Sequence, residues 1–245
     1  MQSALDRARA LDCNSRVSHI YFIGGEKGGV GKSVCARALA QWCIDRSLPF
    51  ACVDCDGSQQ ALARSYGEFT QVVDLTRPES ADQIVDRALG ADRRVIVDLP
   101  AQSWRVLEAW LAGAEVLDFA KQLGIAVTFV HVTDGGAASV RELERALAYL
   151  QHRVSHVVVR NLGRGRDFSQ LDESDAKRHL LELGGKEIAL PELDATAMFK
   201  VDRYGLSFWA AAHTAEGENV LFPLERRRVE IWLERCSATF DAALT

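Results

Sequence analysis

The chain has 245 residues, 48% of them hydrophobic and 26% charged, with a formal net charge of −5. That size and apolar content suit one large domain with a substantial core. No apolar run reaches membrane-spanning length, the opening MQSALDRARALDCNSR lacks the apolar centre of a signal peptide, and no long basic block advertises non-specific nucleic-acid binding, so the expected location is the cytoplasm.

Residues 1–16 read as an N-terminal tail or peripheral helix, and 17–245 as one domain. Strand-like runs follow at VSHIYFIG (17–24), PFACVD (49–54), RVIVDL (94–99), IAVTFVHV (125–132), HVVVRN (156–161) and KEIALP (186–191). Several are apolar at nearly every position, as in strands covered on both faces, and helical patterns lie between them. The expectation is an α/β fold of three layers, a mostly parallel twisted sheet with helices on both faces. Two stretches read as mobile loops, RNLGRGRDF (160–168) and HTAEGEN (213–219). In the last segment Val229, Trp232, Leu233, Cys236 and Phe240 share one helical face, predicting a closing helix over 221–241. Arginines 226 to 228 beside that stripe raise a membrane-surface alternative, which the interleaved Glu225, Glu230 and Glu234 weaken.

Between the first strand and the first helix stands GGEKGGVGKS (24–33). Cys35, Ala38, Leu39, Trp42 and Cys43 recur at helical spacing after it, so the glycine loop opens a helix at or near Ser33, where anions are favoured. Side chains at Gly28, Gly29 and Gly31 would block backbone approach to phosphates. Lys32 then counters charge on the β and γ phosphates, and the Ser33 hydroxyl is placed to ligate Mg²⁺. A second lysine, Lys27, sits in the same loop.

Carboxylates follow at the ends of strands, which face the ligand crevice in an open parallel sheet. Asp98 suits magnesium, directly or through water, and Asp56 could orient the attacking water. Asp54 is a further candidate for the metal, although one of Asp54 and Asp56 is expected merely to cap the next helix. The six cysteines fall at irregular spacings. They read as reduced thiols, and the one CxxC, Cys52 and Cys55, as packing inside a strand.

These motifs resemble the deviant Walker A ATPases, the ParA and MinD family: KGGVGKS with a lysine at 27, DCD after the second strand and VDLP at the third. The resemblance implies ATP hydrolysis by a homodimer sandwiching two nucleotides, with Lys27 crossing to the partner's phosphates and Lys32 serving its own. It implies a nucleotide site of Gly28, Gly29, Val30, Gly31, Lys32, Ser33 and Val34, with Asn161 and Pro191 at the adenine, ATP and Mg²⁺ as cofactors, and a partner or adaptor protein. Asn161-Leu-Gly-Arg lacks the NKxD pattern of guanine recognition. DCDGSQ departs from the family's DxDPQ at Gly57 and Ser58. The stretch 115–147, RNLGRGRDF and the charged closing helix look more like the plasmid mobilisation and conjugal-transfer members, such as the TraL type, than like chromosome-partition ParA. Two other readings of the same fold compete, a P-loop kinase or ligase with an acceptor pocket near 56–67 and a metal-insertion ATPase. Arginines 160, 164 and 166, or 226 to 228, are candidates for a DNA-binding patch.

Overall fold

The computed structural model describes residues 18–25, 27–90 and 92–244. The tail or helix expected over 1–16 lies outside the described residues. In chain order the elements are β1 (His19–Gly24), α1 (Lys32–Asp45), β2 (Phe50–Asp54), α2 (Ala61–Ser65), β3 (Thr70–Val72), α3 (Pro78–Ala81), α4 (Gln83–Ala88), β4 (Arg94–Asp98), α5 (Trp104–Gly113), α6 (Val116–Gln122) and β5 (Ala126–Thr133). Then come α7 (Ala137–Leu150), β6 (Ser155–Asn161), α8 (Ser169–Asp172), α9 (Asp175–Glu182), β7 (Lys186–Leu190), α10 (Ala195–Tyr204), α11 (Phe208–His213) and α12 (Pro223–Leu244).

The strands form one seven-stranded sheet in the order β3-β2-β4-β1-β5-β6-β7, and every adjacent pair is parallel. Side-chain alternation along β1 shows how the layers arise. Ile20 and Phe22 pack on one face with Val95, Val97, Leu107 and Trp110, whereas Tyr21 and Ile23 pack on the other with Leu39, Trp42, Trp232 and Phe240. A strand clothed on both sides has no polar face to show, which explains its apolar sequence. A third, smaller core under α7 and α9 gathers Leu143, Leu147, Val158 and Leu180.

All six expected strands are present, and the sheet adds β3. This strand is three residues long, pairs only with β2 and leaves Val72 exposed, so it carries neither the length nor the apolar run of a covered strand. The closing helix runs to Leu244, beyond the expected 241, and buries Val229, Trp232, Cys236 and Phe240. It also fastens the site region, because the Trp232 indole N–H donates to the carbonyl of Pro191 (2.7 Å).

RNLGRGRDF is packed rather than loose. A Cβ at Gly165 would stand 2.0 Å from the carbonyl oxygen of Asp134, and one at Gly135 would stand 2.4 Å from that of Asp167. The two turns therefore lie backbone against backbone, an approach that only glycine permits.

Candidate nucleotide site

Parallel strands deliver their C-terminal residues to one edge of the sheet, and the pairing fixes which ones meet. Ile23 of β1 is level with Asp98 of β4, Asp98 with Asp54 of β2, and Gly24 with His131 of β5. The glycine loop leaves that edge and turns into α1. Its Gly31 caps the helix with φ 98° and ψ 27°, in the left-handed region. A side chain there would be strained, and its Cβ would also fall 2.1 Å from Asn161 Nδ2. The unpaired N–H groups of the first turn of α1 therefore face an open edge, where an anion is stabilised.

Lys32 is buried, and its ammonium donates to the carbonyl of Lys27 (3.2 Å), curling back along the loop. Lys27 is arranged differently. It is exposed, its Nζ pairs with the Asp134 carboxylate, and its backbone N–H donates to Glu142 Oε2 (2.9 Å). The two lysines thus point to different places, one into the cradle and one outward along its rim toward the turn after β5.

The three strand-end acids also separate by role. Asp54 is fully buried, and its carboxylate accepts backbone N–H groups of Asp56 (3.0 Å), Leu62 (3.1 Å) and Ala63 (3.0 Å). It caps α2 from a distance, which makes it the structural member of the Asp54/Asp56 pair. Asp56 is only half-buried. Its Oδ1 accepts from the Ser58 hydroxyl (2.6 Å) and from the N–H groups of Ser58 and Gln59 (both 3.0 Å). Burial works to raise this carboxyl, but those donors and nearby Lys32 outweigh it and hold the acid below its usual range. Ser58, one of the departures from the family pattern, is thus what fixes Asp56.

Asp98 is 1% exposed, and neither of its oxygens has a hydrogen-bond partner. Burial, with the charge of Asp54 added, pushes its carboxyl up to about 7 against the opposing pull of the Ser33 hydroxyl, Lys32 and Arg37. An orphaned carboxylate is costly unless something cationic completes it. With the Ser33 hydroxyl beside it, Asp98 fits a hard divalent cation that keeps most of its shell as water and phosphate oxygen. Among the described residues no cluster of three or more acids, histidines and cysteines forms an all-protein metal cage.

Beside the loop lies a cleft of about 250 Å³, lined by Val34, Asn161, Pro191, Leu193, Met198 and Trp232 among others. Asn161 joins the cleft to the loop, since its Nδ2 donates to the carbonyl of Val30 (2.7 Å) while its Oδ1 accepts from the N–H of Gly163 (3.0 Å). Arg37, 3% exposed, supports the same corner. It donates from Nε to the Ser33 carbonyl (3.3 Å) and from Nη2 to Asp202 (2.7 Å) on the wall of the cleft.

The site thus gathers Gly28 to Val34, Asp56, Asp98, Asn161 and Pro191 around one sheet edge. Sequence reasoning missed Asp134, Glu142 and Arg37. Asp134 follows the last residue of β5, so the strand-end rule that found Asp98 would have found it as well. Arg37 lies inside α1, where no sequence motif marks it out.

Other candidates lie elsewhere or are engaged. Arg160 pairs with Asp172 and Glu187, Arg227 with Glu230, and Arg228 with Asp194 (3.9 Å). Cys52 and Cys55 are buried, and burial raises both thiols well above their ordinary range, as inert packing groups. No described helix is long and apolar enough to cross a membrane.

No protein-family model matches the chain. Protein MobD of Acidithiobacillus ferrooxidans is 24% identical over 179 residues, spanning 71% of this chain and 78% of that protein. Among solved structures, the MinD cell division protein of Aquifex aeolicus aligns over 90% of this chain and 97% of its own at 12% identity, with a TM-score of 0.50. The complex of MinC with MinD from that organism gives 0.50 over 90% and 96%. A nucleotide-binding protein of Archaeoglobus fulgidus in complex with ADP aligns at 14% identity over 78% of this chain and 87% of that one, with a TM-score of 0.49. The chain has the fold of the MinD-type P-loop ATPases.

Proposed function

We propose that the protein is a Mg²⁺-dependent ATPase of the ParA and MinD family, working as a homodimer whose assembly and partner recognition follow ATP occupancy. The observation that carries the enzymatic reading is the buried, unpartnered carboxylate of Asp98 beside Ser33 at the mouth of a glycine loop. In this reading the N–H groups of Gly28 to Val34 cradle the phosphates and Lys32 neutralises the terminal ones. Ser33 and, through water, Asp98 would hold Mg²⁺, which when bound supplies charge relief to the phosphates. Asp56 orients a water toward the γ-phosphorus, and as the new P–O bond forms the bond to the bridging oxygen breaks, leaving ADP and phosphate. The cleft between Asn161 and Pro191 takes the adenine.

The dimer reading is supported by the direction of Lys27. Two ammonium groups in one small cradle repel unless each has its own oxygens, and here Lys27 is turned outward to Asp134. Release from that pair would leave it available to the nucleotide of a second subunit. The same outward direction counts against a kinase or ligase, which does not generally need a second lysine aimed away from its own phosphates, although some biosynthetic relatives carry one. The likeness to MobD agrees with the mobilisation branch, and the MinC complex of the Aquifex MinD favours a partner protein here too. Direct DNA contact has weaker support, because Arg160, Arg227 and Arg228 are already paired within the chain.

The test is phosphate release from ATP with Mg²⁺, with EDTA, and in Asp98→Ala. The reading expects turnover in the first case alone, with ADP binding retained by the variant. Equal turnover with EDTA or in Asp98→Ala would overturn it.

A further inference from the structure

The three arginines of RNLGRGRDF look alike in sequence and differ in the structure. Arg160 is bound to Asp172 and Glu187, and its guanidinium lies over the Phe168 ring, 5.3 Å from the centroid. Arg166 is 87% exposed and reaches Glu192 at 3.5 Å. Arg164 instead runs along the phosphate loop. Its Cγ stands 3.9 Å from the point where a Cβ of Gly31 would sit, and it lines the adenine-side cleft together with Val34 and Asn161. Among the described residues its guanidinium forms no hydrogen bond or ion pair.

The backbone beneath it is held on several sides. The N–H groups of Arg164 and Gly165 both donate to the carbonyl of Asn161 (3.0 Å each), and Gly165 is wedged against the backbone of Asp134. The arginine is therefore carried on a fixed turn, a good foundation for a ligand-binding group. The loop it borders carries the N-terminus of α1 and the ammonium of Lys32, while the two carboxylates of the same cleft, Glu192 and Asp202, are already paired with Arg166 and Arg37. A helix N-terminus and a lysine ammonium on one loop favour a polyanion beside them.

We infer that Arg164 is a phosphate ligand of the bound nucleotide, closing the loop from the β6 side and pairing its planar fork with α- and β-phosphate oxygens. The α and β positions follow from its place beside Gly31 and Val34, on the adenine side of the loop and away from Asp56. The fork geometry suits two oxygens at once, which a lysine ammonium does not match. This assignment rests on the nucleotide reading above and takes Arg164 out of the DNA patch.

A titration with a fluorescent ADP analogue tests it on wild type, Arg164→Ala, Arg164→Lys and Arg166→Ala, with adenosine as a competitor. Arg164 is exposed, so its removal leaves the thermal midpoint in place as a check on folding. The expected result is at least a tenfold loss of ADP affinity in Arg164→Ala, a smaller loss in Arg164→Lys, none in Arg166→Ala, and unchanged competition by adenosine. Wild-type ADP affinity in Arg164→Ala would overturn the inference, and so would an equal loss for adenosine, which would place the arginine on the base. A wild-type chain that binds no ADP would overturn the nucleotide reading itself, whereas failure of Arg164→Ala alone would leave that reading standing.

Discussion

The two sides of the site are built on different principles. On the β4-β1-β2 side, the chemistry sits in contiguous motifs, a glycine loop and acids at strand ends, and each group's work follows from its place along one strand. On the β5-β6-β7 side it is assembled from turns distant in sequence: Asp134 against Gly165, Asn161 against Val30, and Trp232 against the Pro191 carbonyl. The first side presents charges to phosphate. The second, with Arg164 as its one phosphate-facing charge, holds those groups in position and walls the cleft, so damage to its packing contacts should look different from damage to the motifs.

The largest expected effect falls on the motif side. Lys32→Ala removes the one ammonium turned into the cradle, and nucleotide affinity should drop on the order of 100-fold with the fold intact. Fluorescent ADP binding together with thermal melting reads both quantities.

At the packing contacts of the assembled side the order reverses, and stability should suffer first. Asn161→Ala leaves the buried Val30 carbonyl without its side-chain donor and should cost about 1–3 kcal/mol in urea unfolding. Nucleotide affinity should then fall only as far as the loop loosens. For Asn161→Ala, a loss of affinity with unchanged stability would erase the distinction between packing contacts and phosphate-facing charges.

Acid should weaken the scaffold beneath both sides. Burial, with smaller effects from neighbouring cations, lowers His19 and His131 from 6.5 to about 4. In the unfolded chain these rings take up protons near pH 6.5, and in the folded chain only near pH 4. The unfolded state therefore binds more protons in that window, and stability is lost as pH falls from about 6.5 toward 4. Asp98, raised to about 7, takes up its proton first in the folded chain and opposes this trend, but it is one group against two. Urea midpoints across that range should therefore decline on balance, and replacing His19 with Gln should flatten the decline.

The smallest effect is expected at Arg160. It is held by Asp172 and Glu187 at a partly exposed position, so Arg160→Ala should cost about 1 kcal/mol or less and leave ADP binding unchanged. A large change in nucleotide affinity would mean that the β6 turn is less firmly fixed than its glycine contacts imply.

The same division decides what was legible in the sequence. The sheet could be read because strands covered on both faces must be apolar, and the phosphate loop because backbone approach demands glycine at fixed spacing. β3 was hidden because an exposed edge strand of three residues has no such constraint. The packed state of RNLGRGRDF was hidden because Gly163 and Gly165 read equally as flexibility or as close approach, and only the opposing Asp134 turn decides between them. Ser58 stood out in the sequence only as a departure from the family's pattern, and the structure shows its hydroxyl donating to Asp56. Arg164 looked interchangeable with its two neighbours until the structure gave each a different setting.

The central claim concerns the two lysines of one loop, and it is tested most directly by light scattering coupled to size exclusion. Wild type and Lys27→Ala would be run with ADP and with ATP plus Mg²⁺. The account predicts that ATP doubles the mass of the wild type while Lys27→Ala stays monomeric and still binds nucleotide. A variant that dimerises as the wild type does, or a wild type that remains monomeric with ATP, would contradict it and return Lys27 to a role within its own subunit.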